Sequence, residues 1–258
     1  MKREANGMAV VENFMRTSGH VKEGEAWVHG MWTPRCWRAC LKALLSGRRL
    51  VRMTHGSLSP VYLRYQSPLK KRLVAPIERW LFARCDRVVV TGDWERTWCE
   101  QWGVKGPFEI VDLKRFFNLP TDASGQRALP KGRPLHLLYL GRRHPLKGLN
   151  VLESAIQAIS QSPNSPITLR IVSDAFGEEK ERVWAWCDVL VLPTLSENFG
   201  LVVAEALERG KRVITTDGAP AWEGQPGVVY LKGYRDGTDA RRVELLLQTI
   251  REICGGSL

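Results

Sequence analysis

From residue 134 to residue 216, short apolar runs alternate with stretches whose apolar positions recur every three or four residues, the pattern of βαβ units around a mostly parallel sheet. It predicts strands at Leu135–Leu140, Ile167–Val172, Val189–Leu192 and Arg212–Thr215, each bounded by Gly, Pro or polar turns. One helix is expected over Asn150–Ile159, with Val151, Leu152, Ala155, Ile156 and Ile159 on one face. A second is expected over Gly200–Arg209, closed by Gly210 as its C-terminal cap. A strand at Val228–Leu231 and a helix over Ala240–Ile253 complete this half. The first half repeats the theme less regularly, with strands at Ala26–His29, Leu50–Thr54 and Arg87–Thr91 and helices over Arg35–Leu45, Leu69–Ala83 and Trp94–Trp102. The Pro- and Gly-punctuated segment 118–133 reads as a linker between a lobe over residues 1–117 and a second lobe over 134–258.

Composition narrows this picture. The chain has 258 residues, of which 44% are hydrophobic, enough to build a sizeable core. It holds no uncharged apolar run of the roughly 18 residues that a membrane span needs, and its start lacks the apolar stretch of a signal peptide. The six cysteines show no C-x-x-C pair, which suits reduced thiols in the cytoplasm. Cys36 and Cys40 share a helical spacing, but no nearby His completes a metal set, so core packing is the expectation. The net charge of +11 is unevenly placed. Residues 1–120 carry 21 basic and 11 acidic side chains, and residues 121–258 carry 17 and 16. Seven of the ten tryptophans also fall in the basic half, a combination suited to an anionic partner such as a membrane face or nucleic acid. Nucleic acid is not expected, because no motif beyond charge supports it. The stretch 67–85 reads equally as an interfacial helix, with Lys70, Lys71, Arg72 and Arg79 beside Leu73, Ile77, Trp80 and Leu81, or as a solvated basic helix packed on its own sheet.

The sharpest chemistry lies in residues 187–220. A buried strand ends at Pro193, a polar loop follows, and a helix begins near Gly200, so the amides of Asn198, Phe199, Gly200 and Leu201 gather at a helix N-terminus, an anion site by geometry and dipole. Glu197 lies in the loop and Glu205 more than one turn into the helix. Together with the internal N-F-G-L they resemble the E-x7-E motif of the retaining glycosyltransferases of family 4 (group 1), which have the GT-B fold. A second motif of that family, G-R-x4-K-G, is matched by Gly141, Arg142, Lys147 and Gly148 after the first strand of the second lobe.

The resemblance implies two Rossmann-like lobes with parallel sheets and a cleft between them. It also implies retaining transfer of a sugar from a nucleotide-sugar to a saccharide or glycolipid hydroxyl, as in the biosynthesis of a lipopolysaccharide-like or polysaccharide surface glycan. Arg142 and Lys147 would neutralise the donor diphosphate, and Glu205 would accept hydrogen bonds from the ribose. Catalytic Glu197 would hold the sugar hydroxyls, with the amides of Asn198 through Leu201 completing the cradle. Ser173 and Asp174 mark the place for the base. His55, in R-M-T-H-G-S, resembles the family's catalytic His-Gly loop, with His29 as a second candidate. No metal and no cofactor are expected, because the cations and the helix N-terminus can do the electrostatic work. The family's glycine-rich loop finds no counterpart before Trp27, so the first lobe is read as truncated and the chain as a shortened member. The alternative is a catalytically incomplete glycosyltransferase-like subunit that binds nucleotide-sugar and needs a partner chain. The expected location is the cytoplasm, with the basic lobe peripheral at the inner face of the membrane.

Overall fold

The apolar runs become two parallel sheets, one in each of two units, residues 1–116 and 117–258. The structure is a computed structural model and describes residues 7–65, 67–122, 128–130, 132–159, 167–173 and 175–254.

The first unit runs α1 (Gly7–Thr17), β1 (Glu25–His29), α2 (Pro34–Leu45), β2 (Arg49–Met53), α3 (Pro60–Arg64), α4 (Pro68–Phe82), β3 (Arg87–Val90), α5 (Asp93–Trp102) and β4 (Phe108–Ile110). Its strands lie in the order β1-β2-β3-β4, with Trp27 beside Val51 and Val51 beside Arg87. Because side chains alternate along a strand, Val28, Leu50, Val88 and Val90 share one face. There they are buried with Cys40 and Ala43 of α2, Leu81 and Phe82 of α4 and Cys99 of α5. Two short elements of this unit escape the sequence reading. α3 is five residues long, started by Pro60 and by the Ser59 hydroxyl, which accepts from the Tyr62 amide. β4 is three residues long, too short for alternation to show.

Helix α4 corrects the reading of segment 67–85. Lys71 and Leu81, expected on the outer face, are buried. Lys71 donates to the carbonyls of Tyr62 and Tyr65 and sits 4.0 Å over the Tyr62 ring. Burial pulls its ammonium below the ordinary lysine value. A lysine stem packs like an apolar chain when carbonyls receive its head, and sequence periodicity does not register that.

The second unit runs β5 (Leu135–Leu140), α6 (Leu149–Ile159), β6 (Ile167–Val172), α7 (Gly177–Trp186), β7 (Val189–Leu192), α8 (Leu201–Glu208), β8 (Arg212–Thr216), β9 (Val228–Leu231) and α9 (Asp239–Ile253). The strand order is β6-β5-β7-β8-β9. On one face Leu137, Tyr139, Val189, Val191 and Ile214 form a core with Leu152 and Ala155 of α6 and Leu246 and Ile250 of α9. The alternate positions, Leu138, Leu190 and Leu192, are buried as well, as β-strands covered on both faces require. Of the segment read as a linker, residues 123–127 and 131 lie outside the described set. The rest is fastened to this unit: the Asn118 amide donates to Glu208, and the Pro120 carbonyl accepts from Gln225. Among the described residues no helix is long and apolar enough to cross a membrane.

Candidate functional site

In the second unit the chain leaves β5 for β6 on one side and leaves β7 for β8 on the other. The carboxyl ends of these neighbouring strands are therefore the topological switch point of the sheet, the place where open α/β sheets receive ligands. Both motifs read from the sequence lie here. The loop after β5 carries Gly141 and Arg142 and makes a 3-10 turn at Pro145–Lys147. Gly148 closes that turn at φ 66°, and a Cβ there would overlap the Pro193 carbonyl, so glycine is needed for both its backbone angle and its bareness. The Leu146 carbonyl accepts from the Leu195 amide at 2.8 Å and from the Thr194 hydroxyl at 2.9 Å, which fastens the first loop to the second. The Glu197 amide in turn donates to Gly218, in the loop after β8.

This interlock brings Lys147 and Glu197 into a half-buried ion pair, although they are fifty residues apart in sequence. Arg142 is exposed at the same turn, and the Tyr139 hydroxyl holds its carbonyl at 3.0 Å. Burial, with the Glu197 charge adding to it, pushes the Tyr139 phenol up to about 12, so it stays protonated and donates. His144 reports the local field. Burial first, then the Lys147 and Arg142 cations, pull its imidazole below the ordinary value. Gly200 is the residue before α8, at φ 77°, and a Cβ on it would lie 3.1 Å from the Glu197 side chain. Phe199 is buried, its carbonyl accepts from the Trp222 indole, and its ring packs on Trp222 with centroids 5.0 Å apart. The turn before α8 is thus packed against Trp222 and lies next to the loop that carries Glu197.

Glu205, the fifth residue of α8, pairs with Lys180 of α7, whose Nζ lies 2.8 Å from Oε1 and 2.7 Å from Oε2. Ser173 follows β6, half-buried, and Asp174 lies outside the described residues. Sequence reasoning missed Lys180, Thr194, Gly218 and Trp222. Lys180 carries no spacing signal, whereas the D-G-A-P run directly after β8 is a turn signal that points to a loop at this edge. Among the described residues no three His, Cys, Asp or Glu gather as a metal-ligating group.

In the first unit the two histidine candidates prove to be partners. His29, at the end of β1, and His55, two residues beyond β2, are hydrogen-bonded at 2.8 Å between Nδ1 and Nε2, with rings stacked 5.1 Å apart. His55 stands at φ 50° and begins a turn whose Gly56 amide donates to Glu95 at 2.7 Å. That fully buried carboxylate also accepts from the Thr54 hydroxyl and from the amide and hydroxyl of Thr91. Burial, and secondarily the His29 ring, pull the His55 imidazole down to about 3; burial lowers His29 as well. The folded pair therefore refuses a proton that the unfolded chain takes up below about pH 6.5. Its contribution to stability is fully present above that pH and is lost as the pH falls towards 3. Between pH 7 and pH 5 the wild type is expected to lose about 2 kcal/mol more than a His55→Asn variant, measured by urea unfolding. Equal losses would refute the buried neutral pair. Asparagine is chosen because it tolerates positive φ.

Two family models match the chain. Residues 25–111 match the glycosyl transferase 4-like domain and residues 175–248 match glycosyl transferases group 1, so the first match lies within the first unit and the second within the second. No curated protein sequence matches the chain. Among solved structures it is similar to Anabaena HepE in complex with UDP-glucose, at 15% identity and a TM-score of 0.57, covering 95% of this chain and 74% of that one. It is similar to sucrose-phosphate synthase from Thermosynechococcus elongatus, at 19% identity and a TM-score of 0.59, covering 95% and 69%. It is also similar to α,α-trehalose 6-phosphate synthase from Burkholderia multivorans, at 12% identity and a TM-score of 0.58, covering 91% and 64%. At these identities the likeness speaks to fold, and the fold is GT-B.

Proposed function

We propose that this chain, whose two units carry the domains of a glycosyltransferase, moves a sugar with retention from a nucleotide-sugar to a hydroxyl of a saccharide or glycolipid in the building of a surface glycan. The observation that carries the reading is the Lys147–Glu197 pair, held beside the start of α8 at the switch point between β5 and β7. A donor sugar diphosphate needs cations and amides at one end and hydroxyl acceptors at the other, and this pair sets the two side by side. Lys147 and Arg142 take the diphosphate, whose negative charge grows as the bond to the sugar breaks. Glu197 accepts from the sugar hydroxyls, the amides of Asn198 to Leu201 complete the cradle, and Glu205 accepts from the ribose. Ser173 and Asp174 stay assigned to the base, and His55 to the reacting sugar. We assign the chain to the cytoplasm, with its basic first unit against anionic lipid. Protein cations supply the electrostatic work at the diphosphate in this reading, so no metal is required of it.

A nucleoside diphosphate is therefore expected to raise the melting temperature without added magnesium. Ligand at 100 times its dissociation constant stabilises by about 2.7 kcal/mol. A thermal-shift series over UDP, GDP and ADP measures this. No shift with any of them, or a shift that EDTA abolishes, would defeat the metal-free donor site.

A further inference from the structure

Helix α4 divides its residues sharply. Glu78, Leu81 and Phe82 face the interior, where Glu78 binds Arg52 and Phe82 lies under the Arg52 guanidinium. On the other side Leu69, Leu73, Ile77 and Trp80 are 75%, 79%, 44% and 44% exposed. Their spacing of four, four and three makes one stripe along the helix. Lys70, Arg72 and Arg79 are exposed around it, and Arg84 stacks its guanidinium 3.8 Å from the Trp80 ring. The only acidic residue of α4 is Glu78, and it is buried. Helix α2, joined to α4 by a hydrogen bond from the Trp37 indole to Glu78, exposes Leu41 and Leu45 as well.

We infer that the outer face of α4 is a membrane-docking surface, which lies in the plane of an anionic bilayer with Leu69, Leu73, Ile77 and Trp80 in the headgroup–acyl boundary and Lys70, Arg72, Arg79 and Arg84 on the lipid phosphates. Charge decides the occupant. A stripe meant for a second copy of this chain would bring two rows of like cations together, and their repulsion would oppose pairing. A basic frame around leucines and a tryptophan instead suits the interface of an anionic bilayer, where apolar burial and phosphate attraction act together. The inference gives the membrane part of the reading above a specific surface, and it does not depend on the donor site.

The test uses the full chain and vesicles of pure phosphatidylcholine or of phosphatidylcholine with phosphatidylglycerol, measured by flotation. The expected result is binding to the anionic vesicles only, weakening as salt is raised. The exposed double variant Lys70→Gln/Arg72→Gln should bind about 30-fold more weakly, from roughly fivefold per cation near the surface. Leu69→Ser/Leu73→Ser should lose at least about tenfold through its apolar part. Brominated lipid should quench tryptophan emission in the wild type and quench it less in Trp80→Phe. Lys71 is left unchanged, because it is buried and its loss would disturb the fold. Equal binding to neutral and anionic vesicles, no binding to either, or variants that bind like the wild type would each overturn the inference. So would a dimer in sedimentation equilibrium that Leu69→Ser/Leu73→Ser dissolves, since a second copy would then be the occupant. Nucleoside diphosphate binding, followed in the same variants, should be unchanged. Loss of diphosphate binding in the wild type with vesicle binding intact would count against the donor site alone.

Discussion

Lys147→Ala is expected to lower the turnover of sugar transfer by about 10²–10³, comparable to the loss of one preorganised donor to a developing anion. The lysine is asked to stabilise charge that grows as the diphosphate departs, so its removal should fall on kcat more than on KM. The structure adds a complication, because Lys147 also neutralises Glu197. Part of the loss would come from a half-buried carboxylate left beside the sugar. The double variant Lys147→Ala/Glu197→Ala separates the two: if the pair acts as a unit, its loss should be well short of the sum of the single losses. Glu205→Ala is expected to raise KM for the donor with little change in kcat, since ribose hydroxyls carry no developing charge. Glu205 is also the partner of Lys180, so Lys180→Ala serves as the control for freeing a charge without removing the carboxylate proposed to hold the ribose. If Lys147→Ala and Glu205→Ala both left transfer kinetics unchanged in a folded protein, the assignment of these motifs to the donor would be wrong.

The two motifs proposed to hold the donor can be placed from the sequence because each is compact and sits at the end of a strand that a continuous apolar run and turn residues mark clearly. Leu135–Leu140 and Val189–Leu192 come out with the bounds expected, and Gly200 precedes α8 where a glycine was needed. What the sequence does not show is pairing across elements. Nothing in the spacing couples Lys180 to Glu205, or Thr194 to Leu146, because these meet only when the sheet order β6-β5-β7-β8 is set. His29 and His55 stood as rivals in the sequence for the same reason. Each ends its own strand region, and only the parallel pairing of β1 with β2, which puts His29 beside Met53, makes them neighbours. Lys71 failed in a different way. Its charge argued for solvent, while two carbonyls and an aromatic ring waited inside.

The largest effect on stability is expected at Glu78, in the interior of the first unit. Its carboxylate accepts from Arg52 at 2.8 Å, from the Trp32 amide at 2.6 Å and from the Trp37 indole at 2.9 Å, and both members of the ion pair are almost wholly shielded from water. Glu78→Ala would leave the Arg52 guanidinium buried without its counter-charge, which in such pairs costs about 3–5 kcal/mol. A small domain with total stability of roughly 5–15 kcal/mol would feel this as a large fall in its unfolding midpoint. Arg52→Met/Glu78→Leu removes both charges and fills much of the same volume, so the desolvation penalty disappears with the pair. The Trp32 amide and the Trp37 indole still lose their acceptor in that double variant, and the buried amide alone keeps back about 1–3 kcal/mol. The double variant should therefore be less destabilised than Glu78→Ala alone, as read by urea unfolding of both. The consequence reaches the histidine pair, because Arg52 also donates to the Gly30 carbonyl, one residue beyond His29, at 3.0 Å. In the double variant that hold is gone, so if His55 faces the reacting sugar as proposed, transfer activity should fall in protein that is still folded. If Glu78→Ala proved no less stable than the double variant, the buried pair would not be the clamp that fixes α4 and the loop after β1 to the sheet.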